Sequence, residues 1–118
     1  LTVKYDTGEL FKISAGGRVD AVRLAEPLVG GDGLALRPDG ALISVTNGLG
    51  GAGADAVRVL RPVGEWRAAR VTRLVSPWPD TRPTTVALVG GSAFVLAGRL
   101  DALLAGDISV DTFTLRRF

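Results

Sequence analysis

The side chains that could do chemistry in this sequence carry oxygen or guanidinium, because it contains neither histidine nor cysteine. Without imidazole the commonest general base is missing, together with every triad built on it. Without thiols there is no disulfide, no cysteine nucleophile and no thiolate metal site. One stretch does fit a ligand-binding pattern. Gly48-Leu49-Gly50-Gly51-Ala52-Gly53 has the G-x-G-x-x-G spacing, and a strand-like run precedes it. A dinucleotide site then needs a helix whose N-terminus holds the pyrophosphate. The next residues are instead Ala56-Val57-Arg58-Val59-Leu60-Arg61-Pro62, a short alternating strand ended by proline. The glycines therefore read as a flexible connection between strands.

The cations point away from nucleic acid. The isoelectric point near 9.7 is high because every basic residue except Lys4 and Lys12 is arginine, while the net charge is only +2. Arg58, Arg61, Arg67, Arg70 and Arg73 stand singly among apolar positions, as on solvated strand faces; only Arg116 and Arg117 are adjacent. A nucleic-acid stripe needs clustered cations with interleaved aromatics. Trp66 and Trp78 read as packing and loop-anchoring residues rather than a ligand platform. No apolar run approaches the roughly 18 residues of a membrane span, so no membrane partner is expected. At 118 residues and 47% hydrophobic, the chain is one domain or part of one, with enough apolar mass for a real core.

The elements that must position any site are strands. Gly33 to Arg37 and Ala41 to Asn47 flank Pro38-Asp39-Gly40. Proline at the second position and glycine at the fourth are the preferences of a type I turn. Leu34 and Leu36 share one face by the two-residue period, as do Ile43 and Val45. Before this hairpin come strands over residues 1–5, 9–14 and 18–24, separated by Asp6-Thr7-Gly8 and Gly16-Gly17. After it come strands over 56–60 and 66–75, a proline-stiffened loop over 76–82, and strands over 83–89 and 92–97 joined by Gly90-Gly91, a primed hairpin turn. A mixed stretch, 98–111, leads to a last strand over 112–118. No segment has a sustained 3.6-residue pattern with caps, so the fold class is all-β.

The hairpin recurs. Gly33-Leu34-Ala35-Leu36 corresponds to Thr85-Val86-Ala87-Leu88, and Ile43-Ser44-Val45 to Phe94-Val95-Leu96, at an interval of about 50 residues. The strands then read B-C-D, A-B-C-D and A-B-C, over segments of about 1–29, 30–82 and 83–118. This is the period of a β-propeller blade of four antiparallel strands, and the chain is expected to be a propeller fragment of two and a half to three blades. A β-sandwich would supply short strands but no repeated hairpin at that interval. Beginning without a strand A and ending without a strand D, the chain reads as part of a longer one, with any targeting signal upstream. The compartment is left open, an extracytoplasmic one included.

The pattern GDGLALRPDGALISVTN, with AVRVLRP after it and PTTVALVGG later, resembles the SMP-30/gluconolactonase-like six-bladed propellers and the related NHL and strictosidine-synthase-like propellers. The resemblance covers essentially the whole chain and is specific for the propeller rather than for one activity. It implies hydrolysis of a sugar-type or other small lactone, with a divalent metal, calcium first, held by carboxylate and amide oxygens in the central channel. A non-catalytic propeller that binds a ligand or protein partner is the alternative.

In such a blade the D–A and B–C connections lie on one face. This puts Asp32, Thr84 and Thr85, with Asp6, Asn47, Arg99 and Asp101, at the channel mouth. Asp32 matches the acidic position of the family's Asp/Asn-Gly-Leu motif, so Asp32 and Asn47 are the expected metal ligands. Thr84, Thr85, Arg99 and Asp101 are expected to meet the substrate, and no catalytic base is assigned. The third repeat departs from the pattern, with Thr84 at the ligand position and Ala97 where relatives often have Asn. Local alternatives are a turn-capping carboxylate at Asp32 and a simple ion pair between Arg99 and Asp101. Leu34, Leu36, Ile43, Val45, Val86, Leu88, Phe94 and Leu96 are expected in the core. The apolar faces left at the ends of the stack are expected to meet missing blades or to drive self-association.

Overall fold

The computed structural model describes residues 1–118 and is built of three antiparallel sheets that succeed one another in chain order. The first contains β1 (Thr2–Val3), β2 (Leu10–Ile13) and β3 (Val19–Val22). The second contains β4 (Gly31–Leu36), β5 (Leu42–Thr46), β6 (Ala56–Val63) and β7 (Ala68–Val75). The third contains β8 (Pro83–Val89), β9 (Ser92–Ala97) and β10 (Thr114–Arg117), with helix α1 (Leu100–Leu104) between the last two strands. The sheets are thus of three, four and three strands, each pairing sequential neighbours, and they are not joined into a closed arrangement. The five-residue α1 falls within the mixed stretch 98–111 and makes the chain mostly β rather than all-β. It carries no side-chain cap, which is why no capping signal marks it. No helix is long and apolar enough to cross a membrane.

The turns behave as their residues dictate. Gly40 donates to the Arg37 carbonyl at 2.9 Å, and Arg37 to the Ala41 carbonyl at 2.8 Å. Gly40 sits at φ 79°, the left-handed conformation that closes such a hairpin and that a Cβ disfavours. Asp39 accepts from the Ala41 amide at 3.1 Å and meets Arg61 at 2.8 Å. The amide bond, first, and the two nearby arginines hold its carboxyl below the usual carboxylate range. Gly90 and Gly91 are both at positive φ, as a primed turn requires.

Two cores lie on the two faces of the second sheet. Ile43, Val45 and Val57 pack with Val86, Ala93, Val95 and Trp78 toward the third sheet. Leu42, Leu60 and Ala69 pack with Leu10, Val22 and Leu28 toward the first. The second sheet is therefore buried on both faces, and every residue of β5 is buried. Removing this much apolar surface from water at about 25 cal/mol per Å² is the main term holding the stack together.

The expected core needs correction. Ile43, Val45 and Val86 are buried and Leu34 and Leu88, partly buried, pack against the two cores, but Leu36 is 56% exposed and Phe94 and Leu96 are only partly buried outside them. On β9 the inward residues are Ala93, Val95 and Ala97, the opposite parity from Phe94 and Leu96. The larger side chains suggest the wrong face, because a one-residue shift in register exchanges the two faces of a strand. Phe94 and Leu96 lie on the outer face of the third sheet, where Leu115 is paired with Leu96 and is 64% exposed. Ile13 and Val19 are likewise paired on the outer face of the first sheet, and both are more than half exposed.

Candidate functional site

β4 and β8 begin in the same way. In β4 the register slips between Gly31 and Gly33, so Asp32 is the extra residue of a bulge; in β8 it slips between Pro83 and Thr85, so the extra residue is Thr84. Bulges kink a strand and re-aim a side chain out of the ladder. The two bulges are neighbours: a Cβ on Gly33 would come within 2.6 Å of the Thr85 Cα, an approach open only to glycine. The structure therefore brings Asp32, Thr84 and Thr85 to one end of adjacent strands.

Asn47, at the end of β5, organises this corner. It is completely buried. Its Nδ2 donates to Asp32 Oδ2 at 2.8 Å and to the Pro83 carbonyl at 2.9 Å. Its Oδ1 accepts from the Tyr5 hydroxyl at 2.9 Å and from the Leu49 amide at 3.2 Å. Both amide protons and both oxygen lone pairs are engaged, which is what a buried carboxamide requires. One side chain thus links the loop after β1, the second sheet and the first residue of the third. Asp32 itself is exposed, so one side of its carboxylate is fixed by Asn47 while the group stays open to solvent.

The remaining candidates make no hydrogen bond to Asp32 or Asn47. Arg99 and Asp101 pair with each other at 3.4 Å and line a cleft of about 460 Å³ with Asp80, Thr81 and Thr114. Arg99 holds a left-handed conformation at φ 53°. The Thr84 hydroxyl donates to the Leu96 carbonyl at 3.3 Å, and Thr85 is exposed. Asp6 caps its own turn by accepting from the Thr7 amide at 2.9 Å. Asp80, which lines the same cleft as Arg99, is gripped by Arg116 with bonds of 2.6 and 2.9 Å, and this contact, first, holds the Asp80 carboxyl below the usual carboxylate range.

Sequence reasoning misses two residues that matter here. Tyr5 reads only as the end of a strand, yet its hydroxyl donates to Asn47 and accepts from the Gly50 amide at 2.9 Å. Asp55 reads as part of a flexible loop. It accepts from the Gly48 amide at 3.0 Å and the Arg82 amide at 2.9 Å, and it meets the Arg82 guanidinium at 3.6 Å. It ties the glycine-rich loop to the loop before β8. Asp just ahead of an alternating run is the available signal for a capping role.

A calcium ion takes six to eight oxygens. No group of three or more His, Cys, Asp or Glu side chains is placed to hold a metal ion. Asp32 is an open carboxylate, but the Asn47 oxygen is already taken by Tyr5 and Leu49. The residues of this chain do not by themselves fit a divalent cation, and no chemical step is assigned to one.

By fold, the chain is a mostly β protein of three antiparallel sheets with one short helix. Compared with protein-family models, with curated proteins and with solved structures, it matches none.

Proposed function

We propose that the three sheets are successive blades of a propeller of the SMP-30/gluconolactonase-like kind, and that Asp32 belongs to a small-ligand site at the mouth of its channel. The matched bulges at Asp32 and Thr84 support the blade reading, since β4 and β8 then occupy equivalent innermost positions. The observation that carries the ligand reading is Asp32 itself: an exposed carboxylate oriented by a fully buried, fully bonded Asn47. Such an arrangement pre-pays the ordering of a polar group that a ligand would otherwise have to fix. The expected ligand is a small polyhydroxylated molecule of the sugar-lactone class, whose hydroxyl groups would donate to the free side of Asp32.

The site then has two readings. In the first, the protein binds such a molecule without transforming it; the absence of a carboxylate cluster around Asp32 favours this one. In the second, it hydrolyses the lactone, and further oxygen ligands for a metal come from blades beyond these three. Calorimetric titration of the full-length protein with calcium and with a sugar lactone, alongside lactone turnover, decides between them. Lactone binding that is lost in Asp32→Ala with no turnover establishes the binding reading. Calcium binding and turnover, both lost in Asp32→Ala, establish the hydrolase. Unchanged binding in the variant removes Asp32 from the site.

A further inference from the structure

A cleft of about 770 Å³ lies in a different place from Asp32. It opens between β2–β3 of the first sheet and the β6–β7 turn of the second. Lys12, Arg18, Arg23 and Arg67 line it against two carboxylates, Asp20 and Glu65. Part of that charge is already engaged. Arg18 Nε donates to Asp20 at 2.9 Å, and Lys12 Nζ donates to the Glu65 main-chain carbonyl at 2.9 Å. Arg67 donates from Nε to the Gly64 carbonyl at 3.2 Å, which lays its guanidinium along the turn and leaves the two terminal nitrogens without an acceptor. The Arg23 guanidinium has no hydrogen-bond or ion-pair partner in the protein.

The two walls are fastened together at these two arginines. The Arg23 amide donates to the Arg67 carbonyl at 3.1 Å, and the Ala69 amide donates to the Arg23 carbonyl at 2.9 Å, forming a parallel bridge between the first and second sheets. Two arginines that line one cleft are therefore tied together through their backbones. The turn beside them is strained. Gly64, Glu65 and Trp66 lie successively at φ 57°, 55° and 70°, a conformation that L residues avoid, most of all a bulky one. Strain of this kind gathers at ligand sites. Trp66 packs on the second core and also lines the cleft, giving it an apolar wall.

We infer that this cleft binds a small molecule through an oxyanion, phosphate or carboxylate, held by the open guanidinium nitrogens of Arg23 and Arg67. The planar fork of arginine matches either oxyanion in a bidentate geometry, and a charge-assisted bond of this type is about twice as strong as a neutral one. Lys12 and Arg18 add positive potential, and Trp66 faces the carbon part of the ligand. The inference does not depend on how the Asp32 corner is read.

The test is a titration of the protein with inorganic phosphate and, separately, with malonate, at constant ionic strength kept with chloride. Tryptophan emission reports on the cleft through Trp66, since Trp78 is buried in the other core. A saturable response is expected with at least one of the two anions, and the stronger one identifies the oxyanion. Arg23→Gln and Arg67→Gln should each weaken it by about tenfold or more, the effect of losing one charge-assisted pair. Arg70→Gln, which does not line the cleft, should leave it unchanged. Because Arg67 also bonds the turn, Arg23→Gln is the decisive variant: the Arg23 side chain makes no hydrogen bond or ion pair in the protein, and an unchanged melting temperature separates loss of binding from loss of the fold. No saturable response to either anion overturns the inference, and so does a response that persists unchanged in Arg23→Gln.

Discussion

The hydroxyl of Tyr5 lies 2.9 Å from Oδ1 of Asn47, so a residue of the loop after β1 holds the side chain that orients Asp32. The same hydroxyl accepts from Gly50, which couples the glycine-rich loop to the first sheet. Tyr5→Phe keeps the ring and removes only these two bonds. It should lower unfolding free energy by about 1–2 kcal/mol, the cost of a lost bond plus a partner left short. Urea unfolding with an unchanged slope is the measurement.

Asn47 should matter more for stability than the carboxylate it orients. Asn47→Ala removes the partner of the buried Pro83 carbonyl and of the partly buried Leu49 amide and Tyr5 hydroxyl. A loss of roughly 2–4 kcal/mol is expected, with the result summed over several groups rather than one. Asp32→Ala removes a single exposed acceptor and should cost only about 1 kcal/mol. Thermal or urea unfolding of the two variants side by side checks the order. An Asp32 variant as damaged as the Asn47 variant would mean that the carboxylate is structural.

The Asp80–Arg116 pair predicts an acid dependence. Its folded carboxyl is held below the ordinary value of 3.8, so the stabilisation is fully present above that value. It is lost as pH falls through the lower, folded value. Asp80→Asn should therefore be less stable than the parent at neutral pH. The gap should shrink as pH drops below the usual carboxylate range. Unfolding curves at a series of pH values test the convergence; a gap that stays constant would assign the effect to packing of the loop.

The outer faces of the end sheets predict association. Leu115, Val89, Ile13 and Val19 are all at least half exposed on paired strands. On the proposed propeller reading, neighbouring blades cover them. The 118-residue chain by itself should then self-associate as its concentration rises. Leu115→Lys should reduce association while leaving the melting temperature within about 2 °C. Sedimentation velocity over a concentration series, with melting alongside, separates the two effects. A strictly monomeric parent chain would count against the propeller reading.

Strand positions are legible in the sequence because proline and glycine punctuate them so regularly. β1 and β6 are exceptions, and β1 covers only Thr2–Val3 of the expected 1–5. The alternating run 56–60 is expected to end before Arg61-Pro62, but β6 continues to Val63. β5 pairs with β6 only as far as Leu42–Leu60, so Arg61 to Val63 pair with β7 alone. A proline is tolerated on such a free edge. Facing is harder to read than position: on β9 both parities are apolar, and the pattern cannot choose between Val95 and its larger neighbours. Asp32 and Asn47 can be placed on one end of the sheet from strand order. Tyr5 and Asp55 cannot be added to them, because contacts made between loops leave no period in the sequence.

The glycine-rich loop has a consequence for how sequences of this kind are searched. Neither Gly30 nor Gly53 has room for a Cβ, because the main-chain carbonyl of Asn47 lies directly against both. Gly51, at the loop tip, touches nothing. Under drift, Gly30 and Gly53 should stay fixed while Gly51 needs only to keep its turn. A nucleotide-binding signature can thus be preserved by packing alone, since a Cβ on Gly48 would meet the Arg82 guanidinium, one on Gly50 the Tyr5 ring and one on Gly53 the Asn47 carbonyl.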